Sequence, residues 1–151
     1  MTQKHIDTLN TIKSLISSKR DDVLLKVCQE LDTRFEHFNW TGFYFMNHEL
    51  SQLEVGPYVG ETTDHVTIPF GKGICGQVAV SGETFISQDV HSEENYLACS
   101  ISTQAEIVVP IFNLKDELAG QLDIDSHYKN SITADDEKML FAICEELRGM
   151  F

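Results

Sequence analysis

Apolar residues recur at helical spacing near the N-terminus, at Leu9, Ile12 and Ile16. After the polar break Lys19-Arg20-Asp21-Asp22 they recur again at Leu24, Val27, Cys28, Leu31 and Phe35. From Phe38 to about His127 the pattern turns to strands separated by turn-rich pieces such as Asn47-His48 and Ser81-Gly82. Strands are predicted at Asn39–Met46, Gln52–Tyr58, His65–Pro69, Thr84–Gln88, Ala105–Phe112 and Leu118–Ser126. Helix returns at Thr133-Ala134-Asp135-Asp136, a start resembling a capping box, and continues through the stripe Leu140, Ile143, Cys144 and Leu147. Helices at both ends with consecutive strands between them predict an α+β fold, a central antiparallel sheet with the N- and C-terminal helices on one face.

Strand alternation then assigns the faces. In the last strand Leu118, Gly120, Leu122 and Ile124 share one side, and Gln121, Asp123 and Asp125 the other. In the strand before it Ile107, Val109 and Ile111 oppose Glu106, Val108 and Pro110. In the first strand Trp40, Gly42 and Tyr44 oppose Thr41, Phe43 and Phe45. The apolar sets face the helices, so the other side gathers two aromatics and three carboxylates. A hairpin through Asn113–Glu117 sets Glu106 near Asp125, a like-charge pairing that costs up to about 1 kcal/mol exposed and more when buried. Two readings remain open: an acidic solvated face, or a site that binds an ammonium or keeps one carboxyl protonated as an acid.

Composition narrows the function. With 151 residues, 42% of them hydrophobic and 23% charged, the chain fits one globular domain with its own core. A formal charge of -13 argues against nucleic acid and against an anionic membrane surface. No run reaches transmembrane length and Met1–Arg20 lacks a signal-peptide core, so a cytoplasmic location is expected. Four cysteines without tight spacing do not make a secreted disulfide framework. Cys28 and Cys144 lie in helical stripes and read as core.

The stretch Ile68-Pro69-Phe70-Gly71-Lys72-Gly73-Ile74-Cys75-Gly76 puts Cys75 in a glycine turn that opens a short helix, where backbone N–H groups favour a thiolate or a ligand carboxylate. It matches G-x-G-x-x-G, with Asp89 further on, but Ser81-Gly82 cuts the helix short and no βαβ series surrounds it, so a dinucleotide is not expected. Lys72 is misplaced for a phosphate-binding loop. No two of His5, His37, His48, His65, His91 and His127 stand at ligand spacing, and a scattered metal set of Cys75, Cys99 and His91 is not indicated. No nucleophile elbow supports Ser-His-Asp chemistry. Two thiols beside acids remain, Cys75 and Cys99, 24 residues apart.

The residues resemble a GAF domain, and more closely the free methionine-(R)-sulfoxide reductases built on that fold. The resemblance rests on Asn39-Trp40-Thr41-Gly42-Phe43-Tyr44, Ile68–Gly76, Gly82-Glu83-Thr84, Asp89-Val90-His91, Ala98-Cys99, Glu106–Pro110 and Leu122-Asp123-Ile124-Asp125-Ser126, in family order. It implies one GAF domain over residues 1–151, a ligand pocket closed by the loop that carries the cysteines, no cofactor, and a homodimer. By position, Cys99 resembles the catalytic nucleophile and Cys75 a recycling cysteine. Trp40 and Tyr44 resemble the aromatics that hold free methionine sulfoxide, and Glu106, Asp123 and Asp125 the acids that bind its ammonium and polarise the sulfoxide. A thioredoxin-like dithiol is the implied reductant. One departure stands out: a family cysteine three residues before Ile68 is His65 here, which leaves recycling to Cys75 or an external thiol. The alternative expectation is a non-catalytic small-molecule-binding or redox-sensing GAF domain.

Overall fold

A computed structural model describes residues 1–97 and 100–151. The chain opens with two helices, α1 (Gln3–Ser17) and α2 (Val23–Arg34). Strands β1 (Trp40–Asn47), β2 (Gln52–Val59) and β3 (Thr67–Pro69) precede the short helix α3 (Gly73–Ser81). After it come β4 (Phe85–Ser87), β5 (Ala105–Phe112), β6 (Leu118–Ser126) and helix α4 (Ala134–Glu146). The six strands form one antiparallel sheet in the order β3-β2-β1-β6-β5-β4. The predicted β5 and β6 match residue for residue; the third strand starts at Thr67 rather than His65, and the fourth is trimmed by one residue at each end.

The sheet has two faces of different character. Against one pack α2 and α4, with α1 against both of them, and together they bury Leu9, Ile12, Val27, Leu31, Leu140 and Ile143 in one core with Phe43, Ile107, Val109, Ile111, Leu122 and Ile124. Each such side chain contributes roughly 1.5–3 kcal/mol on burial, so this layer carries most of the stability. The stripe on α2 is rotated slightly from expectation: Val23 is fully buried and Leu24 only partly. Helix α4 opens on the expected capping box, with the Asp136 N–H donating to Thr133 Oγ1 (3.0 Å) and the Thr133 N–H to Asp136 Oδ2 (2.9 Å). Asp136 also joins the layers, since its two oxygens take His5 Nε2 at 2.9 Å and His37 Nε2 at 2.8 Å. That buried carboxylate is held low, at about 2; the hydrogen bonds from His37, Thr133 and His5 outweigh the upward push of burial.

Helix α3 lies alone on the opposite face, over Val108, Tyr44, Leu53 and Ile68, with Ile74, Cys75, Val78 and Ala79 buried beneath it. Among the described residues no helix is long and apolar enough to cross a membrane.

Candidate active site

The face under α3 is built by register. Antiparallel pairing sets Trp40 of β1 opposite Asp125 of β6, and Asp125 opposite Glu106 of β5, so the three occupy one row across the sheet. In the neighbouring row Gly42 stands opposite Asp123, and Asp123 opposite Val108. The expected approach of Glu106 to Asp125 is therefore present, and all three acids are buried, at 3% exposure or less. This disposes of the solvated-face reading, because a solvated face would leave its carboxylates in water.

Cys75 comes to these acids from α3. Its thiol donates to Asp123 Oδ2 at 3.2 Å and faces Glu106 Oε1 at 3.8 Å. The turn before it is tight. Gly73 takes a left-handed φ of 64°, and at Gly76 a β-carbon would sit 2.7 Å from the Pro69 carbonyl oxygen. The expected thiolate-favouring N-terminus is otherwise engaged: the Gly73 N–H donates to Asn95 Oδ1 (2.9 Å), and the Cys75 sulfur points at carboxylates as a donor. Cys99, with Ala98, lies outside the described residues.

The carboxyls share their protons unequally. Burial raises Glu106 well above the usual carboxylic range, and the charges of Asp123 and Asp125 and the hydrogen bond to Asp123 push it further; the Cys75 bond opposes them. Burial also raises Asp123, to about 6, against the pull of hydrogen bonds from Glu106 and Cys75. At neutral pH Glu106 is thus the protonated partner and Asp123 the acceptor, two acids driven apart by their surroundings. Asp123 Oδ1 is buried with no hydrogen-bond partner among the described residues. The charges of Asp123 and Asp125 both bear on Glu106, so this buried cluster gathers like-charged groups at a cost to the fold. Cys75, Glu106 and Asp123 bring one donor atom each within 4.8 Å of one another, a spacing that their hydrogen bonds already account for.

Trp40 and Tyr44 line the same face, buried at 4% and 0% exposure, with ring centroids 6.2 Å apart. The Trp40 indole N–H donates to the Glu61 carbonyl (3.1 Å), and the Tyr44 hydroxyl to the His65 carbonyl (3.2 Å). The backbone of His65 therefore borders the site where the resemblance leads one to expect a cysteine.

Two contributors escaped the sequence reading, Tyr58 and Asn95, and a third, Gln121, was placed by it without a role. Tyr58 stacks on Trp40, centroids 5.1 Å apart and planes at 22°. Alternation hides it, because a bulge in β2 sets Val55 opposite Tyr44 but Tyr58 opposite Gly42, and reverses the parity between them. Pro57, which lacks an N–H, marks the bulge and was the available signal. Gln121, already on the acidic face by alternation, donates to the Cys75 carbonyl (3.1 Å) and braces α3. Asn95 also donates to the Gly71 carbonyl (2.7 Å), and Gln77 Nε2 reaches the Asn95 carbonyl (3.2 Å), so the segment ahead of residue 98 is pinned to the glycine turn. Nothing in the local sequence marks Asn95 for that part.

A six-stranded antiparallel sheet with three helices behind it, and a short helix closing buried acids and aromatics in front, is the architecture of a GAF domain. The GAF domain family model matches residues 17–148. The protein YtsP of Bacillus subtilis is 41% identical over 109 residues, 72% of this chain and 66% of its own length, so the chain spans just under two thirds of that relative. Free methionine-R-sulfoxide reductase of Escherichia coli is 33% identical over 114 residues, 76% of this chain and 67% of its own. A solved free methionine-R-sulfoxide reductase of Neisseria meningitidis, in complex with its substrate, superposes with a TM-score of 0.89 at 30% identity, covering 95% of this chain and 86% of that one. The chain belongs to the GAF domain family and, within it, to the free methionine-(R)-sulfoxide reductase family.

Proposed function

We propose that this protein reduces free L-methionine-(R)-sulfoxide to methionine. The observation that carries the reading is the row Trp40–Asp125–Glu106 with Asp123 and Cys75 beside it, an aromatic wall ending in buried carboxylates. A zwitterionic amino acid with an apolar, oxidised tail matches that surface. The ammonium offsets the charge of Asp123 and Asp125, and the methyl-sulfoxide end lies against Trp40 and Tyr44. A methionine within a peptide lacks the free α-ammonium and α-carboxylate and is rejected.

In the proposed chemistry the thiolate of Cys99 attacks the sulfoxide sulfur while Glu106, kept protonated by its surroundings, gives a proton to the oxygen. The sulfur–oxygen bond breaks, methionine leaves and the oxygen stays on Cys99 as a sulfenic acid. Cys75 then condenses with the sulfenic acid, losing water and forming a disulfide that a thioredoxin-like dithiol reduces. A homodimer of single-domain chains is part of the same reading. The reductase names carried by the Escherichia coli and Neisseria meningitidis relatives support it. His65, in place of a family cysteine, is the feature that favours a ligand-binding or redox-sensing domain instead.

Incubation of the reduced protein with dithiothreitol and racemic free methionine sulfoxide decides between them. The expected result is stoichiometric loss of the R epimer, survival of the S epimer, and no consumption of N-acetylated substrate. Cys99→Ser abolishes the reaction, whereas Cys75→Ser retains it with dithiothreitol and loses it with thioredoxin. An undiminished R-sulfoxide pool rejects the reductase assignment, and activity that survives Cys99→Ser but not Cys75→Ser reverses the two cysteine roles.

A further inference from the structure

The indole of Trp40 lies in a slot with no spare room. A β-carbon on Gly42 would stand 2.4 Å from Trp40 Cη2 and 2.7 Å from Cζ3, so the ring lies directly across the α-carbon of residue 42. The same β-carbon would meet Tyr58 Cβ at 2.7 Å, because Tyr58 is paired with Gly42 across the β1–β2 ladder. At the other end of the ring, a β-carbon on Gly60 would approach Trp40 Cδ1 to 2.6 Å, and the indole N–H is anchored on the Glu61 carbonyl (3.1 Å). Tyr58 covers the ring, nearly parallel at 22°. The bulge in β2 is what brings Tyr58 to this face.

We infer that Tyr58, seated on Gly42 by that bulge, is a positioning residue that fixes the indole of Trp40 for substrate binding. The inference rests on the reductase reading for its ligand but not for its geometry. A ring already held in one attitude pays no ordering cost when the substrate's tail arrives, so loss of the stack weakens binding and leaves the chemical step alone. An aromatic pair is worth about 0.5–1.5 kcal/mol, which sets the expected rise in KM at about two- to thirteenfold.

Trp40 is the single tryptophan of the chain, so its emission reports on the slot independently of turnover. Three proteins are compared, the wild type, Tyr58→Leu and Tyr58→Phe, each checked for folding by far-ultraviolet circular dichroism. In Tyr58→Leu the emission shifts to the red, steady-state anisotropy falls, and KM for free methionine-(R)-sulfoxide rises about two- to thirteenfold while kcat holds within about twofold. Tyr58→Phe, which keeps the stacked ring, restores all three. Unchanged emission and anisotropy in Tyr58→Leu would overturn the inference. So would a fall in kcat at constant KM, or failure of Tyr58→Phe to recover the wild-type values. If the wild type itself shows no turnover, the reductase reading has failed, and the fluorescence comparison still judges the slot.

Discussion

Replacing Asp123 by asparagine stabilises the empty protein at neutral pH. The folded-state pKa of Asp123 is raised from 3.8 to about 6 by burial. Its favourable contribution is therefore complete below the unfolded-state value and disappears as pH rises through about 6. A shift of that size costs about 3 kcal/mol at pH 7.5, where the folded chain must hold the charge. Asparagine avoids that cost and its oxygen can still accept from the Cys75 thiol (now 3.2 Å from Oδ2), but its amide must find an acceptor, a loss of about 1 kcal/mol. The net gain is about 2 kcal/mol at pH 7.5, or roughly 4–8 °C in Tm for a chain of this length. At pH 4 the wild-type carboxyl is protonated in the folded state, so the gain vanishes and the variant is slightly the weaker. Urea unfolding followed by circular dichroism, without ligand, at pH 4 and 7.5 measures both values. A variant less stable than wild type at pH 7.5, or an advantage that does not change with pH, would refute the electrostatic account. Under the proposed reductase function, loss of activity in the stabilised variant is the expected companion, because a site built to take up an ammonium is costly while empty.

Two further outcomes follow from buried groups elsewhere. Asp136→Asn destabilises the fold by about 2 kcal/mol at pH 7, since a depressed carboxylate contributes stability above its unfolded pKa and loses it as pH falls from 3.8 to about 2; acid titration of the variant lacks that unfolding limb. Among the thiols, burial pushes Cys28 up to about 12 and Cys144 above the ordinary thiol range, so iodoacetamide labels neither in the folded protein at pH 8, and mass spectrometry of tryptic peptides checks it.

What the chain discloses without coordinates is whatever a period of two can encode. Alternation put Phe43, Ile107 and Leu122 toward the helices and Trp40, Glu106 and Asp123 away from them, and a five-residue turn at Asn113–Glu117 was enough to bring Glu106 to Asp125. Tyr58 was hidden because the bulge changes parity inside β2, and a pattern cannot count a residue that leaves the ladder. Asn95 and the His5–Asp136–His37 group were hidden for another reason. Their partners are distant in sequence, 131 positions apart for His5 and Asp136, and no local rule connects side chains at that separation. The resemblance at Glu106-Ile107-Val108-Val109-Pro110 and its neighbours supplied what spacing could not, namely which buried acids to regard as a site.

The sheet keeps two acidic centres on opposite sides, and they respond to acid in contrary senses. Mild acidification relieves Asp123 beside Glu106 behind α3, whereas only strong acid disarms Asp136 among the helices. With nothing bound, these two contributions together give a crest of resistance to unfolding in weakly acidic solution. Neutral solution then finds the vacant domain already descending from that crest, which under the proposed function is the condition where the substrate's ammonium has the most to repair.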